Sequence, residues 1–100
     1  MLYFVTLTYV RPRNEVDAHL PSHREWLGEH MQGGRIVVAG PLDDGRGGAL
    51  LANCTSREEL DRMLAQDSFS VHGLVDRQVA GFSPALRAAA WSEVLKTEPA

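Results

Sequence analysis

The stretch "PSHREWLGEHMQGGRIVVAGPL", residues 21–42, holds the change of period on which the fold turns. Its first half has helical spacing, with Leu27 four residues after His23 and Met31 eight after. Its second half, "RIVVA" at 35–39, is a short β-branched run that reads as a buried strand. Gly33 and Gly34 between them are a stop signal. Proline is tolerated in a first helical turn and disruptive further in. Pro21 therefore places the helix start near Leu20 or Pro21, with looser structure before it.

Working outward, residues 2–10, "LYFVTLTYV", read as a strand. Leu2, Phe4, Leu7 and Tyr9 do not share one parity, so both of its faces can be covered. After "RIVVA", the Gly and Pro of "GPLDDGRGG" predict a loop, with Gly40 and Pro41 making a tight turn. Residues 48–54 form the next strand and close a hairpin. Ser56 and Glu59 match a capping box ahead of Leu60, Met63 and Leu64, giving a helix to about Gln66. "DSFSVHG", 67–73, is a loop or short turn, and 74–82 a last strand. "SPALRAAAWSEVLK", from Ser83, starts with a Ser cap and Pro at the first helical position. Leu86, Ala90 and Val94, with Trp91 and Leu95, give it an apolar stripe.

The order is β-α-β-β-α-β plus a C-terminal helix. It predicts an α+β, ferredoxin-like fold with a four-stranded antiparallel sheet and both helices on one face. Residues 1–84 form this domain and 85–100 a helical extension. The other sheet face would expose apolar side chains, and burial is worth roughly 25 cal/mol per Å². A homodimer with facing sheets follows.

Composition excludes several classes. A chain of 100 residues with net charge −3 has no basic footprint, so nucleic acid is not expected as a partner. Nothing approaches a membrane span. The N-terminal segment alternates and has no basic residue before its apolar run, so it is not read as a secretory leader. One cysteine, Cys54, rules out an internal disulfide framework and fits the cytoplasm. It ends the run "ALLANC" and reads as a small strand residue. The glycines of "GPLDDGRGG" lead from strand to strand, not into a helix, so no nucleotide or flavin cofactor is expected.

The histidines carry the candidate chemistry. His23, in the first turn, heads the stripe of Leu27 and Met31 and so faces the sheet. The helix dipole disfavours imidazolium there. A neutral imidazole in that place is an intelligible general base. It is equally a half-buried histidine bonded to a backbone carbonyl. His19 and His23 have i, i+4 spacing, but Pro21 lies between them and further ligands are lacking, so no metal site is expected. His30 suits the negative helix end and His72 a solvated loop. Asp67 follows the second helix, where a carboxylate is unfavourable. It needs a cationic partner or a turn hydrogen bond.

These residues resemble the YCII-related (YciI-like) family. Pro21, Ser22, His23, Trp26, Leu27, Gly34, Gly40 and Pro41 match its first motif in order. Ser56 and Glu59, then Asp67, Ser68 and Phe69, then Gly73 and Leu74 fill its second, across about residues 1–84. The resemblance implies a dimeric α+β barrel, similar in architecture to muconolactone isomerases and small monooxygenases. It implies an active site pairing His23 with Asp67, and one characterised member type is a dehydrochlorinase of a chlorinated hydroxyquinol. Gly40, Pro41 and Phe69 would lie beside the substrate. The chain departs at Ser68, where the family has Pro, which would hold Asp67 less firmly. It departs again at Leu20, where Arg is frequent, so Arg24 or Arg11 would take over any anionic group.

Two functions follow. One is a small cofactor-free enzyme using His23 and Asp67 for elimination, isomerisation or lactone chemistry on a small cyclic or aromatic substrate. The other is a non-catalytic dimeric module binding a small ligand or a protein. A fall in melting temperature on replacing His23 or Asp67 would mark structural roles. An oxygen-using monooxygenase on the same barrel is a weaker third, since Trp26 and Trp91 read as core.

Overall fold

The computed structural model describes residues 1–96. Strand β1 (Leu2–Tyr9) leads into helices α1 (Arg13–Ala18) and α2 (Leu20–Gln32). Strands β2 (Ile36–Pro41) and β3 (Gly47–Asn53) form the hairpin. Helices α3 (Arg57–Ala65) and α4 (Ser68–Val71) precede β4 (Val75–Phe82), and α5 (Ala89–Lys96) follows. The sheet runs β2-β3-β1-β4 with every neighbouring pair antiparallel. This is the ferredoxin-like order, with each helical slot holding a longer helix and a short one.

Pro21 takes the second position of α2, where its missing N–H costs nothing. The segment before it is a separate helix, α1, rather than loose chain. Gly34, at φ 81°, ends α2 as only glycine does cheaply. The hairpin turn lies at 42–46 and relies on Gly45 at φ 73°. Gly40 and Pro41 do not make it: they belong to β2. The Ser56 side chain accepts from Glu59 N–H, half of a capping box. The Glu59 carboxylate takes the Thr55 hydroxyl instead, at 2.8 Å.

Tyr3, Val5 and Leu7 of β1 meet Leu50 and Ala52 of β3 on the helix side. Trp26 of α2 and Leu60, Met63 and Leu64 of α3 close over them. A bulge in β2 between Ile36 and Val38 turns both Ile36 and Ala39 into this core. Trp26 Nε1 donates to Met63 O at 3.1 Å, which ties α2 to α3. A second cluster of Val16, Phe69 and Leu74 seats α1 and α4. Cys54 is buried, and burial with Glu59 beside it pushes its thiol up to about 11. A thiol held protonated is a poor nucleophile.

The tail corrects the sequence reading. Residues 83–88 are not helical, so Ser83 and Pro84 do not start a helix, and α5 begins at Ala89. Leu86 is 97% exposed. A first turn there would bury nothing to offset its nucleation cost. The face opposite the helices carries exposed Phe4, Val38 and Phe82. Phe4 sits opposite Leu51, and Leu51 opposite Val38, so they make a row across three strands.

Gly47 is the tightest point of the sheet. A Cβ there would come 1.7 Å from Leu7 O. Gly47→Ala is expected to cost at least ~2 kcal/mol, read as a lower urea midpoint with unchanged slope. An unchanged midpoint would show that β3 can move away from β1.

Candidate active site

His23 is the fourth residue of α2, and its backbone N–H bonds His19 O at 3.0 Å. Its side chain turns inward toward Asp67, which lies where α3 gives way to α4. His23 Nδ1 and Asp67 Oδ1 are 2.8 Å apart. The same carboxylate oxygen accepts Phe69 N–H at 3.3 Å and so caps α4. Asp67 is 2% exposed and the His23 side chain 12%. The imidazole also lies flat on the Phe69 ring, at 3.9 Å between centroids and 6° between planes. The Trp26 ring lies 5.9 Å from the imidazole, at 26° between planes. The ring is thus fixed in direction by Asp67 and in plane by Phe69.

Asp67 does both things that its place in the sequence asks for. It has a basic partner and it makes a turn hydrogen bond. Capping its own turn and orienting His23 are not alternatives. Melting temperature therefore does not separate a structural Asp67 from a functional one, contrary to the sequence argument.

Ser68, in place of proline, does not leave this turn loose. The Ser22 and Ser68 hydroxyls lie 2.8 Å apart, and both reach His19 O, at 3.0 and 3.3 Å. Proline at 68 could make neither of the two contacts that Ser68 makes. They tie α4 to the junction of α1 and α2, so the Asp67 cap is anchored to the element that carries His23.

His23 opens onto a cavity of about 490 Å³, within the range of small-molecule sites. Helix α2 supplies one wall through Leu20, His23, Arg24, Leu27, Gly28 and Met31, one face at helical spacing. Leu7 and Tyr9 of β1, Ala39, Gly40 and Pro41 of β2 and Gly48, Ala49 and Leu50 of β3 supply the sheet wall. Arg13 and Phe69 complete it. The carboxylate of Asp67 stands behind the imidazole and is not part of the lining. When Asp67 accepts the Nδ1 proton, Nε2 keeps its lone pair and is the free ring nitrogen.

Of the residues singled out in the sequence, His23, Arg24, Gly40, Pro41 and Phe69 all line this cavity. Arg11 does not; it pairs with Glu15 at 3.1 Å. His19 and His72 stack on each other at 3.9 Å. His30 packs edge-on to Trp26. No group of three or more His, Cys, Asp or Glu among the described residues is placed to hold a metal ion. Sequence reasoning missed Tyr9, Arg13 and Gly28. Only Gly28 left a signal, being a glycine inside a helical pattern.

A model of the YCII-related domain matches residues 1–83. The chain belongs to the YCII-related family. Among solved structures, this YCII-related chain is similar to 5-chloro-2-hydroxyhydroquinone dehydrochlorinase (TftG) from Burkholderia phenoliruptrix AC1100, in complex with 2,5-dihydroxybenzoquinone. The TM-score is 0.66 at 24% identity, over 83% of this chain and 94% of that one. It is also similar to an antibiotic biosynthesis monooxygenase, with TM-score 0.57 at 14% identity, over 86% of this chain and all of the other. At these identities the likeness is one of fold alone. No curated protein matches the chain.

The double duty of Asp67 can be tested by two variants. Asp67→Ala loses the α4 cap, worth ~1 kcal/mol, and should lower the melting temperature of a chain this size by roughly 4–8 °C. Asp67→Asn keeps an acceptor for Phe69 N–H and should recover most of that loss in a thermal scan. Equal destabilisation by both would remove the cap from the account.

Proposed function

We propose that the protein is a small acid–base enzyme of the elimination or isomerisation type, acting on a small cyclic or aromatic substrate without a cofactor. One observation carries this: a buried carboxylate 2.8 Å from His23 Nδ1, with the other face of the site open to a cavity. Asp67 accepts the Nδ1 proton and stabilises the imidazolium that forms when Nε2 takes a proton from substrate. In an elimination the released electron pair makes a double bond and expels the leaving group. In an isomerisation the imidazolium returns its proton to another atom of the same molecule. His23 is the catalytic base and Asp67 its positioning residue. The largely apolar walls suit a ring, and Phe69, Gly40 and Pro41 would border it. The dehydrochlorinase whose fold this chain shares acts on 5-chloro-2-hydroxyhydroquinone, a chlorinated aromatic triol, which supports that substrate class.

The functional unit in this reading is a homodimer. The row of Phe4, Leu51 and Val38, with Phe82, would pack against the same face of a second copy. The single buried thiol of Cys54 suits a reducing compartment, the cytoplasm. No helix among the described residues is long and apolar enough to cross a membrane.

Two measurements test the proposal. A panel of halogenated hydroxyquinols and cyclic enol lactones, followed by NMR in deuterated buffer, should include at least one compound the wild type converts. His23→Ala should lower that rate by about 10²–10⁴-fold, and Asp67→Asn should do so too, by favouring the wrong tautomer. An unaffected rate, or no conversion across the panel, leaves the non-catalytic binding module as the better account. Sedimentation should show a dimer that Phe4→Glu with Val38→Glu turns into a folded monomer. A monomeric wild type would remove the dimer.

A further inference from the structure

The cavity has the opposite charge to the molecule around it. The chain carries net charge −3, yet the cavity is lined by Arg13, His23 and Arg24 and by no carboxylate. Arg13 is engaged: it bonds Asp17 at 2.9 Å and lies over the Tyr9 ring. Arg24 has no hydrogen bond, ion pair or ring contact among the described residues. It follows His23 directly and lies near the positive end of α2. An unneutralised guanidinium in the lining of a largely apolar cavity is a recognition group for an anion.

The two glycines of the lining point to the shape of that anion. Gly28 lies inside α2 and Gly40 inside β2. Neither has positive φ, and a Cβ on either would meet nothing within 4 Å. Neither backbone conformation nor crowding therefore requires glycine at these positions. Both weaken the elements that hold them, relative to residues with side chains. What they share is the cavity, where the missing side chains leave bare backbone on the helix wall and on the sheet wall.

We propose that this cavity takes a planar organic anion, an aromatic carboxylate or an acidic phenol, with its charge on Arg24 and its flat body between Gly28 and Gly40. This rests on the active-site reading and adds a substrate class to it. The ring lies over exposed peptide planes, and the anionic group faces the solvent end of the site. Neutral rings of the same shape keep the stacking and lose the ion pair.

The test is a pair of probes, salicylate and its neutral isostere salicylamide, titrated into the 15N-labelled protein by NMR. Salicylate should bind roughly tenfold tighter or more, as expected of a charged hydrogen bond, and shift the amides of His23, Gly28 and Gly40. Arg24→Met should bring salicylate down to the affinity of the amide. Gly28→Leu should block both probes while raising the melting temperature, and Gly28→Ala should weaken both in the same direction if the leucine variant misfolds. Equal affinity for the two probes, a preference that survives Arg24→Met, or no binding of either overturns the proposal. The two readings fail separately. If His23→Ala abolishes turnover but salicylate has no advantage, the acid–base site stands and the anion falls. If the salicylate preference holds but His23→Ala leaves turnover intact, the anion site stands and the base falls.

Discussion

A single carboxylate oxygen joins the two halves of the site. Asp67 Oδ1 receives the backbone of α4 and lies against the ring of His23 on α2. A buried carboxylate is costly unless its acceptors are used, and here one oxygen has two partners. The stacking of His23 on Phe69 follows from this, because Phe69 is the residue whose N–H the carboxylate holds. Cap and orienter are thus one residue, Asp67, and the stacking surface is Phe69, two positions on. Ser68 adds the tie back to His19. The site is rigid because it lies where a helix start, a helix junction and a core aromatic coincide.

The surrounding fold fixes the distance between these parts. Trp26, one turn after His23, fills the core and bonds Met63 O on α3. The helix that carries the base is therefore locked to the helix that leads to Asp67. On the sheet side, the bulge at the start of β2 rotates Ala39 inward, and Gly40 and Pro41 follow along the cavity wall. The cavity lies between α2 and the strand that directly follows it in sequence, so it depends on short connections.

Much of this was legible in the sequence, for identifiable reasons. Pro21 located the helix start because its chemistry allows few positions, and Gly33–Gly34 located the end for the same kind of reason. His23 and Asp67 could be paired only through their place in a family pattern, since 43 residues separate them and no local rule joins them. Ser83–Pro84 misled because a cap signal describes a helix start only where tertiary contacts make the helix worth forming, and Leu86 found none. Arg13 was invisible because it reaches the cavity from α1, which was not foreseen, and Tyr9 because nothing in the strand pattern of β1 tells which side chains border a cavity. Gly28 was visible but uninterpreted: a glycine in a helix says that something is unusual, and only the cavity says what.

The bulge and Pro41 share one strand, and that strand is an edge of the sheet. An open edge with an apolar residue such as Val38 invites another chain to add a strand. The bulge breaks the even spacing of exposed N–H and C=O groups near one end of β2, and the proline removes a donor at the other. On the opposite edge, β4 carries Asp76, Arg77 and Gln78 in succession, so a stacked copy would meet polar and charged groups. The features that shape the cavity wall thereby also guard the molecule against edge-to-edge aggregation, and the apolar sheet face can stay sticky without the edges becoming so.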